Sequence, residues 1–170
     1  MKKLLFTTLL TILAFNNIMA CECECFGDCS FKEVSSNSGF VALVKIISHD
    51  DFIEEEIPGY NDKMPRSMTV EIIKKYKGSE LRDTIKIWGD DGAQCRPYIA
   101  YFNVGEYYLI APNKLGSAHL NGENENDYDF FSCSTDYLKV DFNKKIAIGQ
   151  YSKRKKQISL EKFRKSLISD

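Results

Sequence analysis

A hydrophobic leader that ends at Ala20, directly before Cys21-Glu22-Cys23-Glu24-Cys25, decides more about this chain than any other stretch. Lys2 and Lys3 supply a charged start, residues 4–15 an apolar run, and Ile18-Met19-Ala20 the small-residue end that a signal peptidase accepts. The run is too short to span a bilayer well, since a membrane helix needs about 20 apolar residues. The leader is therefore expected to be a cleaved secretory signal over residues 1–20, and the mature chain is expected to begin on Cys21. Export places the six cysteines, at 21, 23, 25, 29, 95 and 133, in an oxidising environment where disulfides are the default.

Two competing readings attach to the same cluster. C-x-C-x-C-x-x-x-C has the soft ligands of a thiolate metal site. Ile18-Met19-Ala20-Cys21 loosely matches a lipobox, which would lipidate Cys21 and anchor the protein to a membrane. Met19 fits that box poorly, and lipidation would leave five cysteines to pair, whereas plain secretion leaves six. Secretion is the reading that parity favours, with a lipoprotein anchored at Cys21 as the alternative.

The 150 residues after the leader suit one domain with a real core, without internal repeats or a long low-complexity linker. The leader carries two of the 23 basic residues and none of the 24 acidic ones, which leaves a net charge of about −3. Nothing in that balance calls for nucleic acid. Asp50, Asp51, Glu54, Glu55 and Glu56 form one acidic stretch, and Glu123, Glu125, Asp127 and Asp129 another; Lys153-Arg154-Lys155-Lys156 is basic. All three read as solvated loops or tail, although a basic run also has the charge to meet polyanions or a membrane surface.

Hydrophobic patterning is mostly β. Residues 40–47 are a dense β-branched run, expected as a buried strand. Residues 67–76 alternate, with Met68, Val70 and Ile72 on one side, and Lys77-Gly78-Ser79 turns the chain. Thr84-Ile85-Lys86-Ile87-Trp88 has strict period two and stops at Gly89-Asp90-Asp91-Gly92. Residues 107–111 form another strand, 116–129 a polar loop, and Phe130-Phe131-Ser132-Cys133 the start of a short strand. Helices are predicted over 31–36 and 158–168, the second with Ser159 as N-cap and Leu160, Phe163 and Leu167 on one face. Some five strands with flanking helices imply a mainly β fold, a small closed five-stranded barrel of the OB type, followed by a basic helical segment over 152–170.

No catalytic motif accompanies this pattern. His49 and His119 are the only histidines, and H-E-x-x-H, G-x-S-x-G and a phosphate loop are all missing, so the chain reads as a non-enzyme without a cofactor. Cys25-x-x-x-Cys29 is not the C-x-x-C of redox sites. Tyr98, Tyr101, Phe102, Tyr107 and Tyr108 read as core and hairpin packing in preference to a base-stacking surface, and export removes most nucleic-acid partners.

Residues 21–151 resemble the netrin-like module, in particular the N-terminal domain of the tissue inhibitors of metalloproteinases. The resemblance rests on Cys21-x-Cys23, on the strand over 40–48 after a short helix, on Glu71-Ile72-Ile73-Lys74-Lys75-Tyr76-Lys77-Gly78, and on Cys95 followed by Gly105-Glu106-Tyr107-Tyr108-Leu109-Ile110 and Cys133. It implies bridges from Cys21 to Cys95 and from Cys23 to Cys133, with Cys25 and Cys29 left to pair locally or stay free. It also implies a partner: in such inhibitors the α-amine and carbonyl oxygen of the first cysteine chelate the catalytic zinc of a protease. Carried over by position, Cys21 would be the zinc-chelating residue, Glu22 the side chain aimed into the primary pocket, and Cys23 the anchor. The chain departs from the pattern in three ways. Ser36 stands where a third bridge would begin and no cysteine follows Cys133; nothing matches from Ser152 onward; and Glu22 is charged where the inhibitors carry a small or neutral residue.

Overall fold

The computed structural model describes residues 23, 27–54, 63–116 and 122–168. Among the described residues helix α1 (Phe31–Asn37) comes first, then strands β1 (Val41–Phe52), β2 (Pro65–Lys77), β3 (Thr84–Trp88), β4 (Tyr107–Ile110), β5 (Asn113–Lys114), β6 (Tyr128–Asp129), β7 (Tyr137–Asp141), β8 (Ile146–Ser152) and β9 (Lys155–Ser159), and finally helix α2 (Leu160–Ile168). The strands form one sheet in the order β5-β6-β3-β2-β1-β4-β7-β8-β9. All neighbours are antiparallel except β3 and β6.

Strand β1 explains the layering. Its residues alternate between two cores, since successive side chains of a strand point to opposite faces. Ala42, Val44 and Ile46 join Met68, Val70, Ile85 and Ile87 in an inner cluster, with Ile72 at its margin. Val41 and Leu43 join Leu109, Leu138, Val140 and Ala147 in an outer cluster, which the helices cover with Phe31 and Phe163. A strand buried on both faces has to be apolar nearly throughout, and the dense run at its start is the sequence mark of that position.

The expected closed barrel is not formed. Hydrogen-bonded pairing among the described residues ends at β5 on one side and β9 on the other. Three register shifts, at Val41/Ala42, Leu43/Val44 and Ile46/Ser48, bend β1 against β2 and curl the sheet around the inner core. Aromatic rings, not a backbone ladder, then fill the remaining side. Phe130, just beyond β6, lies 5.1 Å from Tyr137 of β7 between ring centroids, and Phe102 lies 4.6 Å from Tyr137 and 5.6 Å from Phe130. Rings at such separations fill the space that a closing strand would occupy.

Several other expectations change in detail. The stretch from Phe130 to Cys133 is a turn-bearing loop, and the adjacent strand is β6. Three strands, β7 to β9, follow where none was predicted, and the basic run 153–156 forms the turn and first residues of β9 instead of a helix. Helix α2 begins at Leu160, with Ser159 Oγ accepting the Lys162 N–H at 3.3 Å and Phe163 buried as expected. Gly78 holds the predicted turn after β2 at φ 90°; an added Cβ would meet the Gly39 carbonyl oxygen at 2.5 Å. The first acidic stretch is in part strand: Asp50 accepts hydrogen bonds from Ser48 and Thr69, and Asp51 accepts them from Ser67 and Lys86. Its continuation over 55–62 lies outside the described residues.

Candidate functional site

One end of the sheet gathers the cysteine-bearing segments. Strand β3 delivers the chain to Gly89, where a Cβ would collide with the Pro97 carbonyl oxygen at 2.7 Å and with Ile99, so only glycine admits this close approach. The loop then folds on Asp90, whose Oδ1 accepts the N–H groups of Gly92 and Gln94 at 2.8 and 2.9 Å, and it presents Cys95 and Arg96. Beside it runs the segment from Phe130 to Asp136. The Ser132 N–H donates to the Cys95 carbonyl at 2.9 Å, and the Thr135 N–H donates to the Cys29 carbonyl at 2.9 Å. Cys23 is disulfide-bonded to Cys133, with their Cα atoms 5.1 Å apart and 110 residues between them in sequence. Cys29 and Cys95 are also disulfide-bonded, and no described cysteine is free.

The Cys23–Cys133 bridge is thus as expected. Cys21, Glu22 and Cys25 lie outside the described residues, so the expected Cys21–Cys95 pairing and the local Cys25–Cys29 pairing do too. His119 is likewise outside them. His49 Nε2 donates to the Phe102 carbonyl at 2.6 Å, which occupies that nitrogen in holding β1 to the inner core. Among the described residues no three His, Cys, Asp or Glu side chains form a metal-binding group.

The cleft beside the cysteines has a volume of about 440 Å³ and is lined by Glu33, Asn37, Arg96, Asp129, Ser134 and Asp136 among others. Its electrostatics centre on Arg96. The guanidinium pairs with Glu123 through Nη1 and with Asp129 through Nε at 2.9 Å. Burial pulls this guanidinium down, but the hydrogen bonds and charges of Glu123 and Asp129 outweigh it and hold Arg96 above its ordinary value. Burial pushes the Asp129 carboxyl up, and Arg96 only partly offsets it. Asp136 is also raised by burial, although it accepts the Phe131 N–H at 2.6 Å and the Ser134 hydroxyl. It closes the 131–136 loop from beneath.

No protein-family model matches this chain, and no curated protein matches it in sequence. The site must therefore be argued from its own residues.

The second acidic stretch is the clearest departure from expectation. It is a solvated loop only in part: Glu125 is exposed as expected, but Glu123 and Asp127 are buried, and each has a specific partner. Asp127 Oδ2 accepts the indole N–H of Trp88 at 2.8 Å, while Glu123 and Asp129 clamp Arg96. Nearby, Glu80 takes hydrogen bonds from Arg82 at 2.7 Å and from the Tyr128 hydroxyl at 2.8 Å. Arg82 holds Glu80 below the usual carboxylate range, and burial with the Glu80 hydrogen bond pushes the Tyr128 phenol up to about 12. A signal for these contacts was present in the single tryptophan and in the arginine adjoining Cys95, each a group that seeks an acceptor when buried. Trp88→Phe is expected to cost about 1–3 kcal/mol in urea unfolding, since it removes the shorter of the two hydrogen bonds to a buried carboxylate and leaves it only the Asn124 N–H at 3.2 Å. A loss within error of zero would mean that Asp127 is hydrated in solution.

Proposed function

We propose that this chain is an exported protein resembling the inhibitory domain of the tissue inhibitors of metalloproteinases, acting on a zinc metalloprotease through Cys21-Glu22-Cys23. One observation carries the reading. Cys23 is bonded to Cys133, in a loop hydrogen-bonded to the backbone of Cys95, so the segment two residues after the expected mature start is fixed to the rigid end of the sheet. The curl of β1 and β2 around the inner core supports the OB-type part of the reading, with the ladder left open. Restricting such a segment before it meets a partner lowers the ordering cost of binding.

In this reading the protein is not an enzyme and carries no cofactor. The α-amine and carbonyl oxygen of Cys21 occupy the open coordination position of the protease zinc, which blocks formation of the metal-bound hydroxide. The amine must be neutral to ligate. Inhibition is therefore expected to weaken by about tenfold per pH unit below a typical α-amino pKa of about 7.7–8.0, as protons compete with zinc.

Glu22 favours a second reading, a netrin-like interaction module, extracellular or lipid-anchored through Cys21, without inhibitory activity. A carboxylate buried unpaired in an apolar primary pocket is costly. Intact-mass analysis of the purified N-terminus and titration against a panel of zinc proteases separate the two. A free Cys21 amine, with inhibition that Glu22→Thr strengthens by about tenfold or more, supports the inhibitor. An acylated Cys21, or no inhibition by either form, rejects it.

A further inference from the structure

We propose that the groove between α1, β9 and α2 is a binding site for a phosphate-bearing ligand. Lys32, Lys155 and Lys162 line this groove, of about 590 Å³, together with Ser152, Gln157 and Ser159, and among the described residues no carboxylate lines it. It shares no lining residue with the Arg96 cleft, so the inference stands apart from the inhibitor reading.

Packing brings the three lysines to one groove. Lys32 follows Phe31 and Lys162 precedes Phe163, and those two rings meet in the outer core with centroids 5.6 Å apart. Fixing the rings fixes the backbone positions of the flanking lysines, whose exposed side chains line the groove. Lys155 arrives from the third element, opposite Ser152 across the β8–β9 hairpin. None of the three takes part in an ion pair among the described residues, whereas Lys165 on the same helix pairs with Glu161 at 2.8 Å. Asp28 accepts the N–H groups of Ser30 and Lys153 and its charge acts on Lys153, which does not line the groove. Glu161, which pairs with Lys165, is the one described carboxylate on which Lys162 acts electrostatically, and it does not line the groove; three ammonium groups around one groove therefore leave a net positive charge there that an anion with several oxygens can meet. Lysine supplies phosphate with point charge and hydroxyls supply directional donors, and the groove has both.

The geometry suits a phosphoryl group presented either by a soluble phosphate compound or by a lipid headgroup, and the same experiment distinguishes them. Binding of inorganic pyrophosphate to the full chain is measured by calorimetry at low ionic strength, and binding to phosphatidylcholine vesicles with and without phosphatidylglycerol by co-sedimentation. Lys32→Gln/Lys155→Gln/Lys162→Gln is expected to weaken pyrophosphate binding at least tenfold with the thermal unfolding midpoint preserved. Two charge-matched variants serve as controls: Lys63→Gln/Lys114→Gln/Lys139→Gln on distant surfaces and Lys153→Gln/Arg154→Gln/Lys156→Gln at the hairpin turn. Each should weaken binding less than threefold. Vesicle binding that needs phosphatidylglycerol and falls with the groove variant assigns the phosphate to a lipid; pyrophosphate binding without vesicle binding assigns it to a soluble compound. Absence of pyrophosphate binding, or an equal loss in either control, overturns the proposal in favour of diffuse surface charge.

Discussion

Replacing Arg96 with Met lowers the free energy of unfolding by about 3–5 kcal/mol near neutral pH, the usual cost of removing one member of a buried ionic group. The size follows from what is left behind. The Arg96, Glu123 and Asp129 side chains are 12%, 2% and 20% exposed, so Glu123 gains little water when the guanidinium goes and Asp129 gains only some. A methionine fills the volume but neutralises nothing. The triple change Arg96→Met/Glu123→Gln/Asp129→Asn should restore a large part of the loss, because it removes the uncompensated charges as well as the cation. Asp129 sets the pH dependence. Its folded pKa is raised above the ordinary 3.8, so its contribution to stability is fully present below that value and is lost as the pH rises through the folded value. Without Arg96 the folded value climbs further, so the loss deepens. The gap between wild type and Arg96→Met therefore opens as the pH rises through the wild-type value of Asp129 and narrows in acid. Urea unfolding across that range is the measurement. A gap below about 1 kcal/mol at neutral pH would make Arg96 a surface pair of the weak, solvated kind.

This network also marks the limit of what the sequence discloses. Strands whose side chains alternate strictly or are apolar throughout were legible: Thr84–Trp88 has the predicted bounds, and β1 and β2 extend the predicted runs by a few residues. The pattern reports burial, and in these strands burial is what decides structure. Strand β7 has the same alternation, with Leu138 and Val140 inward and Lys139 outward. It lies in a short stretch broken by Lys139, Asp141, Asn143, Lys144 and Lys145, and its pairing with β8 turns at Lys145 in the left-handed region, a conformation no periodicity announces. Charge proved the poorer guide. Glu123, Asp127 and Asp129 look like any solvated acidic loop until Arg96 and Trp88, more than 25 residues away in the chain, are placed against them. The closure of the barrel failed for a related reason: whether a curled sheet ends in a ladder or in rings depends on where Phe102, Phe130 and Tyr137 meet, and spacing in the sequence is silent on that.

The double change Cys23→Ser/Cys133→Ser should cost about 4 kcal/mol and lower the thermal midpoint by roughly 8–16 °C for a domain of this size. The native contacts of Cys133 do not supply that figure. Its loop is held independently, by Ser132 to the Cys95 carbonyl, by Thr135 to the Cys29 carbonyl and by Asp136 from beneath, so the folded loop has little reason to move. The cost arises in the unfolded chain, which regains the freedom of a loop of about 110 residues. Two results follow, and they discriminate. Amide exchange in the Arg96 cleft should keep its rank order in the variant, because the native packing survives while global stability falls. Cys29 and Cys95 are also bridged, and if their bonds already shorten the path between Cys23 and Cys133 in the unfolded chain, the loss shrinks toward about 2 kcal/mol. A loss near that lower bound with unchanged exchange would show cross-links sharing one constraint. Selective exposure of the 131–136 amides would instead place the stabilisation in the folded loop and overturn the entropic account.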